Sequence, residues 1–139
     1  MWHFYPEHYM FSYQLNRILT QSHFGGGEFN ECIEAASRIT AGDFKSFNEG
    51  WSFAGNQALT VAEEAMAKGY TITARQAYLR ASNYLRTSEF FLKPDDPRKV
   101  PGYRKATEAF QKGASMLTNP PRFVSLPFEG PEITGYFLQ

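Results

Sequence analysis

The chain has 139 residues, enough for one domain with its own core, and its 14 basic and 14 acidic side chains cancel. With no net charge and no run of basic residues, nucleic acid and anionic membranes are not expected partners. A hydrophobic content of 42% excludes a disordered tail, and aromatics at 17% predict a thick aromatic core or an aromatic-lined cavity.

Cys32 is the only cysteine, so an intramolecular disulfide and a Cys-rich metal site are excluded. A free thiol suits a reducing compartment. The first residues carry no basic stretch followed by an apolar run, and nothing approaches the roughly 18 apolar residues that span a bilayer. A soluble, cytoplasmic protein is expected.

Phe11, Leu15, Ile18 and Leu19 sit at helical spacing and predict a helix from about Tyr9 to Thr20. Gly25-Gly26-Gly27 then forms a loop or hinge; it lacks the Gly-Lys-Ser/Thr pattern of a phosphate loop. Residues 28–41 read as a second helix, with Phe29, Ile33, Ala36 and Ile39 inward, Cys32 beside them and Gly42 as C-cap. Ser46-Phe-Asn-Glu49 fits a capping box opening a third helix that Gly69 stops. Trp51, Ala54, Ala58, Val61, Ala62, Ala65 and Met66 make its stripe. Thr71 or Thr73 is the expected cap of a fourth helix, whose stripe runs from Ala74 and Ala77 through Tyr84 and Leu85 to Phe91. The connection between these two helices is so short that they must be antiparallel neighbours. Lys93-Pro-Asp-Asp-Pro97 is a stop and restart. A fifth helix is expected from Pro97 or Pro101 to Leu117, with Tyr103, Ala106, Ala109, Phe110 and Ala114 inward.

After Asn119-Pro120-Pro121 the pattern changes. Phe123 to Phe128, the turn Glu129-Gly-Pro-Glu132, and Ile133 to Leu138 read as a β-hairpin. Such a hairpin is at best marginally stable alone, so its apolar side needs a sheet or core that these residues do not supply. The expected class is therefore mainly α: an antiparallel helical domain followed by a terminal β-hairpin, within a longer enzyme. The expected division is an aromatic-rich segment with its glycine loop at 1–27, a helical domain at 28–119 and the hairpin at 120–139.

Several stretches together resemble one α/β-hydrolase group. They are Gly-Gly-Gly-Glu28-Phe-Asn-Glu-Cys-Ile, the Gly-Asp43 step before a Trp-bearing helix, Ala77-Tyr-Leu-Arg-Ala-Ser-Asn-Tyr84-Leu-Arg with Glu89-Phe-Phe, and Val124-Ser-Leu-Pro-Phe-Glu-Gly130 with Ile-Thr-Gly-Tyr136-Phe. The group is that of 2,6-dihydroxypseudooxynicotine hydrolase and fungal hydrolases of secondary metabolism. The resemblance implies a helical cap before a catalytic α/β sheet, with the hairpin as the first two strands of that sheet. It also implies a small-molecule substrate and a serine nucleophile in a Gly-x-Ser-x-Gly elbow. These 139 residues contain no such motif and no His-Gly-Gly segment, so no catalytic residue is assigned.

Trp51, Tyr84 and Arg86 are the candidate substrate-binding residues. As cap residues, Trp51 and Tyr84 would line a substrate channel; an aromatic stripe at this spacing is more often core. Arg86 would meet an acidic substrate group, or else pair with Glu89 three residues on. Tyr78 and Arg80 lie on the same helix with the same two readings. His3, His8 and His23 are expected in packing or surface roles, and Cys32 as a small buried hydrophobe. Adjacent Glu63 and Glu64 point apart and form no acid–base pair. No cofactor and no metal are expected.

Two alternatives to a hydrolase cap stay open on sequence alone. One is a free-standing tetratricopeptide-like interaction module built on the paired third and fourth helices. The other is a truncated, inactive hydrolase product. Exposed apolar surface near the hairpin is expected to favour homo-oligomers.

Overall fold

In a computed structural model, which describes residues 1–138, the chain is mainly helical and closes with a two-stranded antiparallel sheet. The helices are α1 (Tyr9–Gln21), α2 (Phe29–Ser37), α3 (Phe44–Ala67), α4 (Thr71–Ser88) and α5 (Lys99–Ala114), and the strands are β1 (Arg122–Pro127) and β2 (Glu132–Phe137). A single 3₁₀ turn, Ser22–Phe24, follows α1.

α3 and α4 run antiparallel, as the short connection requires. Asn48 of α3 bonds the Ser88 carbonyl at 2.9 Å, Trp51 meets Tyr84, and Ala62 shares a cluster with Ala77. The reversal rests on Gly69, whose φ of +75° is open to glycine at no steric cost. Close approach needs small residues. A Cβ on Gly50 would stand 2.8 Å from the Ala35 carbonyl oxygen and 2.7 Å from Ile39, and one on Gly55 2.6 Å from Leu85. α5 covers the other side of α4 in the same manner, with Gly113 against Leu79 and Tyr78.

The principal core joins every helix. Phe11, Leu15 and Ile18 of α1 meet Cys32 and Ala36 of α2, Phe47 and Trp51 of α3, Tyr84 of α4 and Ala109 of α5. Thus α1 is packed into the same core as the helices after residue 28. The aromatic excess is spent here: Phe11 contacts His8, Phe44, Phe47 and Phe91 with ring centroids 4.0–5.6 Å apart.

Several helix ends differ from the sequence expectation. α2 stops at Ser37, and Ile39 packs into the core from the following loop. Gly42 is not its C-cap; it lies in a turn closed by Asp43 N–H donating to the Thr40 carbonyl, 3.0 Å, with φ +82°. α3 starts two residues before the expected capping box. Asp43 caps it by accepting from the Lys45 N–H at 2.9 Å, while Ser46 Oγ turns back to the Thr40 N–H and the Asp43 carbonyl. Neither Thr71 nor Thr73 caps α4; Tyr70 holds that position without a side-chain bond. α5 begins at Lys99 and tolerates Pro101, because the first four N–H groups of a helix have no intrahelical acceptor. It ends at Ala114 rather than Leu117, and Tyr103 is half exposed rather than inward. Phe29, Val61 and Met66 are also exposed where the stripes expected burial.

The hairpin pairs Phe123 with Tyr136 and Leu126 with Ile133. Glu129 and Gly130 both take positive φ, as the twist-matched two-residue hairpin turn requires. Tyr136 seats the hairpin on α5: its ring meets Phe110 at 5.0 Å and its hydroxyl accepts from Gln111 Nε2 at 2.8 Å. Leu126, Ile133 and Phe137 are more than half exposed.

Gly50→Ala tests the close packing. Helix propensity alone would stabilise the variant by about 1 kcal/mol, but the added methyl meets a backbone carbonyl. The expected result is a net loss of about 1–3 kcal/mol in urea unfolding followed by circular dichroism. A more stable variant would show that α2 and α3 are not in close contact there.

Candidate functional site

Two polar constellations lie on α4, one inside and one outside. The inner one is centred on Tyr84, whose residue is fully buried and whose ring packs on Trp51 with centroids 5.8 Å apart. The Tyr84 hydroxyl donates to Glu31 Oε2 at 2.7 Å and accepts from the Glu28 N–H at 2.7 Å. Arg80, one turn earlier on α4, grips the same Glu31 carboxylate with Nε and Nη2 at 2.8 and 2.9 Å. Burial pulls the Arg80 guanidinium down, and the hydrogen bonds and charge of Glu31 more than reverse it. Burial, then Cys32 and Glu31, push the Tyr84 phenol well above its ordinary value. Cys32 Sγ lies 3.8 Å from the Tyr84 hydroxyl, and burial pushes its thiol up to about 11. A thiol so placed is a poor nucleophile.

The outer constellation faces solvent. Glu89 is buried, and two cations hold it. Arg86 pairs with Oε1, and Lys99 Nζ donates to Oε2 at 2.9 Å and to the Glu89 and Leu92 carbonyls at 3.1 Å. Arg86 is the more open of the two, with 56% of its side chain exposed and its Cζ 5.6 Å from the Tyr103 ring centroid. With Pro94, Val100 and Tyr103 these groups line a cleft of about 310 Å³.

Of the three expected binding residues, Arg86 therefore borders a cleft, whereas Trp51 and Tyr84 lie in the core. The Arg86–Glu89 pair was legible as a three-residue step. The Glu31–Arg80 and Glu89–Lys99 pairs were not, because their members do not share a helix. His8 caps α1, accepting from the Phe11 N–H through Nδ1 at 3.2 Å. Glu63 pairs with Lys112 at 3.7 Å on the surface. Among the described residues, no group of three or more His, Cys, Asp or Glu is arranged to hold a metal, and no helix is long and apolar enough to cross a membrane.

Two outcomes follow from the inner constellation. Tyr84→Phe keeps the ring but leaves the Glu28 N–H without its acceptor, so chemical unfolding should show a loss of about 1–3 kcal/mol. An unchanged midpoint would dismiss the hydroxyl as a tether. The neutral Cys32 thiol is the form the fold favours, so its stabilisation is whole below its ordinary pKa of 9.0 and is lost as pH rises from there toward about 11. Urea midpoints measured from pH 8 to 11 should therefore fall more steeply for the natural chain than for Cys32→Ala; parallel curves would contradict it.

No protein-family model matches the chain. Its sequence is 37% identical over 129 residues to alpha/beta hydrolase gkaG of Penicillium citrinum, covering 92% of this chain and 30% of that protein. Hydrolase acrC of Aspergillus aculeatus is 38% identical over 119 residues, covering 84% of this chain and 28% of the relative. The 20-hydroxy-prefusarin hydrolase of Gibberella moniliformis is 36% identical over 121 residues, covering 86% and 29%. The crystal structure of 2,6-dihydroxy-pseudo-oxynicotine hydrolase matches with a TM-score of 0.64 at 23% identity, over 81% of this chain and 30% of that one. The chain thus spans about 30% of the length of the curated relatives it matches. Over most of its own length, in sequence and in fold, the chain is α/β-hydrolase-related.

Proposed function

We propose that residues 28–119 form the cap and substrate-access part of a cytoplasmic serine-nucleophile hydrolase, with 1–27 packed beneath as an aromatic arm and the hairpin as the start of the catalytic sheet. The substrate is a small secondary metabolite, cleaved at an ester, thioester, amide or carbon–carbon bond. The nucleophile, acid and histidine lie outside residues 1–139, and no cofactor is needed. Arg86 faces the substrate, while Trp51 and Tyr84 hold the cap in shape from within.

The observation that carries this reading is the extent of the match to the Penicillium citrinum hydrolase. At 92% of the chain it is too long to leave out the whole hairpin, which with its turn occupies residues 122–137. The match therefore takes in residues of the hairpin as well as of the helices. A cap of this kind shapes specificity and excludes water, rather than supplying the reacting groups.

The test is a hybrid in which this chain replaces the matching segment of that hydrolase. The hybrid should keep kcat on small activated esters within about tenfold of the parent, while the ranking of larger substrates by kcat/KM changes. The 139-residue chain alone should show no serine-dependent turnover, and robust turnover by it would refute the reading. Its bare hairpin should also make it self-associate; a monodisperse monomer in light scattering would speak against that.

A further inference from the structure

The cleft beside Arg86 is built around one buried carboxylate. Its wall is Arg86, Glu89, Pro94, Lys99, Val100 and Tyr103, drawn from the end of α4, the turn after it and the start of α5. Glu89 is the one acid in that wall, and only 3% of its side chain is exposed. A buried carboxylate needs partners, and this one has two. Arg86 Nη1 takes Oε1, and Lys99 Nζ takes Oε2 at 2.9 Å. Both oxygens are thus occupied by groups of the protein itself.

The two cations differ in what they have left to give. An ammonium has three N–H donors. Lys99 uses its own on Glu89 Oε2 and on the Glu89 and Leu92 carbonyls, at 2.9, 3.1 and 3.1 Å, so it is a strut. A guanidinium has five N–H donors, and Glu89 takes only Nη1. Arg86 keeps most of its fork, on a side chain that is more than half exposed. Two cations and one anion in the wall leave one positive charge over. Asp96, in the turn before α5, does not cancel it: both its oxygens are held by Arg98, at 2.9 and 2.7 Å, and it is not part of the wall. The remaining wall is apolar. The Tyr103 ring centroid lies 5.6 Å from the Arg86 Cζ, and Val100 and Pro94 continue that side. Tyr103 and Val100 are each about half exposed.

We propose that this cleft binds a small, mostly apolar monocarboxylic acid, with its carboxylate on the free N–H groups of Arg86 and its body against Tyr103, Val100 and Pro94. The charge left over in the wall calls for a single negative charge, and the guanidinium fork matches a carboxylate. An aromatic face beside the cation suits a flat body. The volume of about 310 Å³ is at the small end of ligand pockets, which run roughly 300–1,000 Å³, so the acid is compact. Glu89 and Lys99 are positioning residues: they hold Arg86 and Tyr103 on one support and have no donor or oxygen to spare for the ligand. The inference deepens the cap reading, and rests on it only in calling the acid a substrate; binding itself needs no hydrolysis.

The probes are 2-naphthoate, neutral 2-naphthamide and acetate, titrated into the 139-residue chain at low salt and neutral pH by calorimetry and amide NMR shifts. Naphthoate should bind saturably, about tenfold tighter than either the amide, which lacks the charge, or acetate, which lacks the body. Shifts should centre on residues 86–103. Arg86→Gln should weaken naphthoate about fivefold or more, and Arg86→Lys less, since it keeps the charge but not the fork. Tyr103→Ala should weaken naphthoate by a similar factor and leave acetate unchanged. Arg75→Gln, in a separate cleft, should bind as the natural chain does. Thermal melts confirm that each variant is folded; should Arg86→Gln not fold, Arg86→Lys and Tyr103→Ala decide. Equal binding of acid and amide, shifts elsewhere, or Arg86 and Tyr103 variants that bind unchanged would overturn the site. In the hydrolase hybrid naphthoate should still bind. Its exclusion from an active hybrid would overturn the site and leave the hydrolase reading standing, whereas binding by an inactive hybrid would do the reverse.

Discussion

The placement of the short helix α2 rests on one buried oxygen. The Tyr84 hydroxyl uses its proton on Glu31 and a lone pair on the Glu28 N–H, so these two bonds go to nine-residue α2 and to its N-cap residue. A helix of that length is too short to be stable alone, where about 12–15 residues are marginal. Its N-terminus is satisfied by Glu28, which accepts from the Glu31 N–H, and its flank is held by Arg80. Removing the hydroxyl would therefore loosen both the entry to α2 and the carboxylate that Arg80 grips. Trp51 completes the arrangement from the other side, since a ring packed at a tilt against Tyr84 leaves α4 little room to slide along α3.

α4 is consequently the central helix, packed by α3 on one side and α5 on the other. Both approaches depend on glycine and alanine, which bring the backbones together and leave few side-chain rotamers to adjust. What remains of α4 outside these two contacts is a narrow polar strip. Arg86 sits on that strip and is fixed at its base by a buried Glu89. A charged group on so rigid a support loses little freedom when it meets a ligand, which is how a helix face presents a charge with defined direction.

Much of this could be read from the sequence. The stripe from Ala74 to Ser88 is buried as its spacing predicts, and the hairpin and its turn stand where the pattern changes. Helix ends were less legible, because the cap in use is decided by neighbours. Asp43 serves α3 while Ser46, the apparent cap, bonds the loop behind it. The stripe also says which residues face inward but not whether the inside is solid. Trp51 and Tyr84 fit a channel wall and a core equally well by spacing, and only packing places them in the core. Pairs such as Glu31 with Arg80, 49 positions apart, leave no local signal at all.

The hairpin shows what the helices leave unfinished. Its register puts Phe123 and Tyr136 on one face and Val124, Leu126, Ile133 and Phe137 on the other. Tyr136 turns the first face toward α5 through Phe110 and Gln111. On the second, Leu126, Ile133 and Phe137 are more than half exposed, and a two-stranded sheet has two open edges as well. Sheets of α/β proteins are covered on both faces, and their strands read as apolar runs rather than clean alternation. The incomplete alternation of Phe123 to Phe128 has that character. On the proposed reading, further strands would pair with an edge of the hairpin and a second layer would cover its bare face. The cleft beside Arg86 depends on no such completion, because α4 and α5 already build it.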